Sequence, residues 1–292
     1  MCCNCCKCNH SSRRPLFDNQ ATVGKLAQSH RQLMATVAEF LSTPDSDENR
    51  TRLFNLVSNH NTEFWVWGGV ETDSYPECCA VGRTLDNRWF ASGVRIHRRV
   101  VLTAAHVILR QSADRVAFST ANWDSPGETP RQVIFTKEHD SYIWANQHDI
   151  GVMILAEDTP ETPVFDLSLA TTAELSDNNN HKVVVVGYGA NDTLGEHGIG
   201  VKRVSPIDLD ITAMSPDQFF AKSALVDTCL GDSGGPAYIR VNGKPKLAGI
   251  TARGDSECGQ GGYYTRIDTH WSFIADFARE HGITDLPASL EN

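Results

Sequence analysis

Nowhere in this chain does an apolar run approach the eighteen or so residues of a membrane-spanning helix. Positive charge is also short, with 26 Lys and Arg against 36 Asp and Glu and a formal net charge of -10. That balance disfavours nucleic acid or an anionic membrane surface as a partner. It mildly favours basic substrates, although solubility alone accounts for it. The first residues lack the apolar segment of a secretory signal, so the expectation is a cytoplasmic chain, with a secreted chain that has lost its leader as the alternative. What remains is ordinary soluble composition, 40% hydrophobic and 21% charged, over 292 residues. That length holds one large domain, or a domain with an appendage, around a substantial core.

The stretch from Asp227 to Pro236 reads DTCLGDSGGP. A serine between an acid and two glycines, in a run too short and too glycine-rich for a helix, predicts an exposed nucleophile in a tight loop whose backbone N–H groups can bind an anion. This run resembles the nucleophile loop of the trypsin-like (chymotrypsin-fold) serine peptidases. A serine hydroxyl is a poor nucleophile near neutral pH and needs an imidazole to take its proton and a carboxylate to orient that imidazole. The stretch VVLTAAHV supplies His106 and QHDIGVMIL supplies Asp149, each beside an apolar segment. The order His, Asp, Ser is that of the resembled family.

The resemblance implies an endopeptidase with the triad His106, Asp149 and Ser233 and with Gly231 and Ser233 N–H groups forming the oxyanion hole. Asp227, six residues before Ser233, matches the base of a primary pocket that takes arginine or lysine. Gly254 and Gly262 match the pocket walls, and Cys229 and Cys258 match a disulfide beside it. No cofactor is required, and no metal site is assigned. Ala252 and Arg253 stand where the family usually has a serine, bonded to the triad aspartate, and a tryptophan. Arg253 is expected to alter the site for the residue preceding the cleaved one, favouring an acid there. Val107 and Ala91 stand where the family usually has another cysteine pair, a loss that suits a reducing compartment.

Fold class follows from short apolar segments alternating with polar turns. Candidate strands are Trp89–His97, Val100–Ala104, Arg115–Ser119, Gln132–Lys137, Ile150–Leu155, Lys182–Gly187, Val201–Leu209, Gln218–Ser223, Pro236–Val241, Lys246–Ala252 and Gly262–Ile267, with no intervening helices. Asn242-Gly243 is a hairpin signal between two of them. The expected class is all-β, two six-stranded antiparallel barrels in the resembled family's architecture. An amphipathic helix from Thr269 to His281 closes the chain, with Trp271, Ile274, Phe277 and Ala278 on one face. The histidines outside the triad, His139, His148 and His270 among them, match no motif and read as surface or packing residues.

Three segments are expected: a Cys-rich tail at 1–14, a helical segment at 15–65 and a peptidase domain at 66–292. The tail has five cysteines in eight residues, from Cys2 to Cys8. It reads as disordered, as an S-acylated membrane tether, or as a metal tract through Cys3/Cys6, Cys5/Cys8 and His10. The helical segment is a packed hairpin, a propeptide or a module that recruits a partner. VWGGVETDSY, from Val66, resembles the segment at which zymogens of the family are cut, so Val66 would supply an ammonium to Asp232. Trp65 precedes it where an arginine or lysine is usual, which points away from an activator of like specificity. The competing reading is a latent peptidase-like regulatory or interaction protein, switched on by a partner or by cleavage before Val66.

Overall fold

Short apolar runs punctuated by turns resolve into fourteen strands among the described residues. The computed structural model describes residues 69–118, 129–143, 147–159, 167–189, 200–205, 208–223, 227–228, 230–254 and 260–287. The tail, the helical segment, Val66, Cys229 and Cys258 therefore lie outside the described residues.

After β1 (Val70–Glu71) come β2 (Cys78–Arg83), β3 (Arg88–His97) and β4 (Val100–Thr103), then helix α1 (Ala105–Gln111), β5 (Arg115–Ala117), β6 (Arg131–Glu138) and β7 (Gly151–Leu155). Strands β2 to β7 close into a six-stranded barrel in the order β2-β3-β4-β7-β6-β5, all pairs antiparallel. Helix α2 (Thr172–Ser176) precedes β8 (Lys182–Gly187), β9 (Arg203–Val204), β10 (Leu209–Met214), β11 (Gln218–Lys222), β12 (Pro236–Val241), β13 (Lys244–Gly254) and β14 (Gly262–Arg266). The run β8-β10-β11-β14-β13-β12 returns to β8 through a β8–β12 pairing, making a second closed barrel, while β9 and β1 extend from the other edge of β8. Helix α3 (Trp271–Glu280) ends the fold and buries Trp271, Ile274, Phe277 and Ala278.

Side chains on successive strand residues point to opposite faces, and here both faces are apolar. In β2, Cys78 and Ala80 join a core shared by the two barrels and α3, while Cys79 and Val81 join the first barrel's own core. In β8, Val184 and Val186 face the shared core and Val183 and Val185 the second barrel's. Strands buried on both faces show no alternation; KVVVVG still reads as a strand from its four valines, whereas CCAVGR has a single β-branched residue and was not among the expected strands. Cys78 and Cys79 are buried outside any disulfide, and burial holds the Cys78 thiol well above its usual range and protonated. Ala91 and Val107 are fully buried in the first barrel's core, so apolar packing stands where the resembled family has a bridge.

Two expectations are corrected. The expected strand Val201–Leu209 is not one strand: β9 covers Arg203–Val204 and β10 begins at Leu209 and runs to Met214. Polar Asp210 and Thr212 point outward from β10 and masked its continuation. Among the described residues, two short α-helices also lie between the strands. The α2 start is a capping box in which Thr171 Oγ1 accepts the Glu174 N–H at 3.2 Å and a Glu174 carboxylate oxygen accepts the Thr171 N–H at 3.0 Å. The α1 start carries no capping side chain, since its N-cap is Ala104, so no capping signal marks the change of period from two to 3.6. The hairpin signal stands: Asn242 (φ 51°) and Gly243 (φ 77°) form the left-handed two-residue turn joining Val241 to Lys244.

Helix α1 packs on β7 at Gly151, where an added Cβ would collide with Ile108 Cδ1 and lie 3.3 Å from the Lys137 carbonyl. Gly151→Val should destabilise the chain by about 1–3 kcal/mol through overpacking, and Ile108→Val should recover part of that loss. Urea midpoints of the single and double variants check this.

Candidate active site

β4 runs directly into α1, and β4 pairs with β7 so that Thr103 lies opposite Gly151. That register brings the first turn of α1 over the residues entering β7. Asp149 sits there with its side chain 5% exposed, beneath His106 at 14%. One carboxylate oxygen, Oδ1, accepts the His106 backbone N–H at 3.0 Å, and Oδ2 lies 2.8 Å from ring Nδ1. A carboxylate can only accept, so Nδ1 carries the proton and Nε2 is left as the basic end. The two-point grip fixes both the position and the tilt of the ring.

Ser233 lies in the turn between β11 and β12, flanked by Gly231 (φ 97°) and Gly234 (φ 82°), a left-handed conformation open to glycine. First-barrel residues clamp this turn. The Ser92 N–H donates to the Ser233 carbonyl at 2.9 Å, and Ser92 Oγ donates to the Gly231 carbonyl at 2.9 Å while accepting the Tyr188 N–H at 2.9 Å. A Cβ at Gly234 would collide with Thr103 Oγ1 and the Ser92 carbonyl and lie 2.9 Å from the Ala104 N. The residue after Ser233 thus lies against the chain two residues ahead of His106, and the half-buried Ser233 is brought to the His106 end of the interface between the barrels.

Asp232 is buried, with Oδ1 accepting the Gly189 N–H at 2.8 Å. Its carboxylate lies on Gly187 and Gly189, where any Cβ would overlap it. Arg203 is buried nearby: burial pushes its pKa down, against the pull of the Glu71 and Asp232 carboxylates.

Asp227 is fully buried. Its Oδ1 accepts the Thr228 N–H at 2.7 Å and its Oδ2 the Gly261 N–H at 2.8 Å. Gly254 and Gly262 pair across β13 and β14. A Cβ on Gly262 would lie 2.8 Å from Thr228 Oγ1 and 3.1 Å from the Tyr264 hydroxyl, while one on Gly254 would meet nothing within 4 Å. A side chain at 262 would therefore crowd Thr228 and Tyr264, while position 254 faces open space. Burial, and then the Asp227 charge, push the Tyr264 hydroxyl well above its usual range. Ala252 is buried at a register shift in β13. Arg253 lies with its guanidinium 3.7 Å over the Tyr263 ring and donates to Gln218 Oε1 at 3.0 Å, so its charge is held along the sheet.

Sequence reading missed the gathering of His139, His148 and His270 beside Asp217, immediately behind Asp149. They are far apart in the chain and follow no motif spacing. The one local signal is His148 itself, which adjoins Asp149 and adopts φ 55°.

A family model described as Trypsin matches residues 66–274. The chain is 25% identical over 207 residues to chymotrypsin-like elastase family member 1 of Felis catus, covering 64% of this chain and 78% of that protein. It is 27% identical over 241 residues to the venom serine protease Bi-VSP of Bombus ignitus, covering 73% and 64% respectively. Among solved structures, neuropsin, a serine protease expressed in the limbic system of mouse brain, superposes with a TM-score of 0.60 at 25% identity, over 72% of this chain and 98% of that one.

Ser92 ties the serine turn to the first barrel through one hydroxyl that both donates and accepts. Ser92→Ala should lower stability by about 1–3 kcal/mol, read as a lower urea midpoint; an unchanged midpoint would show that the hydroxyl is not what holds the turn.

Proposed function

The chain belongs to the trypsin family of serine peptidases, and from that premise we propose that residues 66–292 form an endopeptidase domain cleaving after arginine or lysine. The observation that carries the reading is the Asp149 carboxylate gripping His106 through both N–H groups, at 2.8 and 3.0 Å. Ser233 Oγ attacks the scissile carbonyl while His106 Nε2 takes its proton and then delivers it to the leaving amine. Asp149 keeps the ring oriented and stabilises the imidazolium. The N–H groups of Gly231 and Ser233 receive the oxyanion, each such donor being worth about 10²–10³-fold in rate. Water then repeats the sequence on the acyl-enzyme.

Family membership implies protein or peptide substrates, and Asp227 sets the finer preference. Its carboxylate, fully buried between two backbone N–H groups, offers a guanidinium or ammonium a fixed counter-charge that a neutral side chain does not use. The name of the elastase relatives favours another preference, and Asp227 is the residue that separates the two. The proposed bridge Cys229–Cys258 would brace the pocket. Val66, freed by cleavage after Trp65, would pair its ammonium with Asp232, making the uncut chain a precursor and residues 15–65 a propeptide or recruiting module. An acyl tether at Cys2–Cys8 belongs to the same proposal. The cytoplasmic expectation gives way to its alternative, secretion, since one relative is named as a venom enzyme.

The reading as a latent interaction protein rests on Trp65, Ala252 and Arg253. Hydrolysis of short chromogenic substrates ending in arginine, alanine or phenylalanine, by the full chain and by a chain beginning at Val66, decides among these. The expected result is arginine cleavage by the shortened chain alone, abolished by Ser233→Ala. Asp227→Ser should reduce kcat/KM for arginine by about 10²–10³-fold. Preference for alanine would sink the pocket assignment, and silence of both chains would favour the latent reading.

A further inference from the structure

The ring nitrogens of His139, His148 and His270 converge within 4.8 Å of one another. His139 follows β6, His148 precedes Asp149, and His270 ends the 3-10 turn Asp268–His270 that leads into α3. Asp217, at the turn between β10 and β11, enters the same group. His148 Nδ1 lies 3.0 Å from His270 Nε2 and 3.3 Å from Asp217 Oδ1, and His270 Nε2 lies 3.2 Å from that oxygen. Three electron-pair donors on three segments thus form a nearly equilateral triangle. An ion with metal–ligand distances of about 2.0–2.1 Å in a tetrahedron needs ligand–ligand edges of about 3.3 Å.

The orientation of each donor is fixed by a bond behind it. His270 Nδ1 lies 2.6 Å from the Arg266 carbonyl, which can only accept, so the proton is on Nδ1 and the neutral ring presents the Nε2 lone pair to the cluster. Both Asp217 oxygens accept the His148 backbone N–H, at 3.0 and 3.1 Å, which holds the carboxylate against the rings. A neutral His148 can place one proton between two acceptors, leaving His270 Nε2 and Asp217 Oδ1 facing one another at 3.2 Å. A divalent cation satisfies all three at once. His139 is stacked on His148 with centroids 4.7 Å apart and accepts the Ser141 N–H on Nδ1 at 3.2 Å.

We propose that His148, His270 and Asp217, with His139 as fourth ligand, bind a transition-metal ion that bridges the two barrels behind the triad aspartate. Imidazole and carboxylate ligands in tetrahedral array suit zinc. The ion joins His139 and His148 of the first barrel to Asp217 and His270 of the second, pinning the residue next to Asp149. The site stands independently of the proposed substrate preference.

The test is calorimetric titration of the full chain with Zn²⁺ alone, after alkylation of accessible thiols so that the N-terminal cysteines do not compete, together with melting curves. The expected result is tight one-to-one binding and a melting-temperature rise of roughly 5 °C or more at zinc a hundredfold above Kd. His148→Asn, which retains the left-handed backbone, and His139→Gln should each weaken binding by at least about tenfold. Both should leave the zinc-free melting temperature close to wild type. A melting temperature indifferent to zinc, or variants that bind it as wild type does, would overturn the site and leave a hydrogen-bonded histidine cluster.

Discussion

The proposed chemistry depends on one carboxylate holding one imidazole at two points. Asp149 accepts from both the main chain and the ring of His106, and a ring held that way has one free nitrogen and one direction in which to use it. The grip requires α1 to lie close over the mouth of β7, which the absence of a side chain at Gly151 allows. It requires burial as well, since in a water-filled site a carboxylate would not dictate the geometry of its donor. Local packing of a glycine against Ile108 therefore stands beneath the orientation of the His106 ring.

The second dependency is the joint between the barrels. Each barrel has its own apolar core, and a third is shared between them and α3. The serine turn is fastened across that joint by Ser92 and by the contact of Gly234 with Thr103. Ser233 belongs to the second barrel and His106 to the first, so their alignment is only as firm as this joint. On the far side of Asp149 the histidine and Asp217 cluster crosses the same joint, with polar atoms in place of apolar ones. The serine turn and the cluster thus tie the barrels together on either side of the triad aspartate.

What could be read from the chain beforehand was what is contiguous in it. DTCLGDSGGP, VVLTAAHV and QHDIGVMIL each carry their meaning within ten residues, and Asn242-Gly243 encodes its turn by backbone conformation alone. Runs rich in β-branched residues, such as those of β4 and β8, were legible. β2 was not, because CCAVGR has neither alternation nor a β-branched run, and α1 was not, because its N-cap is Ala104 and no capping side chain marks the change from strand to helix. The histidine cluster is assembled from positions 139, 148, 217 and 270, a set that only the closure of two barrels brings together. The replacement of a bridge by packing at Ala91 and Val107 was visible as missing cysteines, while the apolar core that takes its place appears only in the fold.

The central claim is that His106, Asp149 and Ser233 form one working nucleophilic centre. The most direct measurement is reaction of the chain beginning at Val66 with a fluorophosphonate, followed by mass-spectrometric mapping of the adduct and repeated on His106→Ala. The account predicts a single adduct on Ser233 that all but disappears in the variant. Absence of any adduct in the intact protein, or equal labelling of Ser233 without His106, would contradict it.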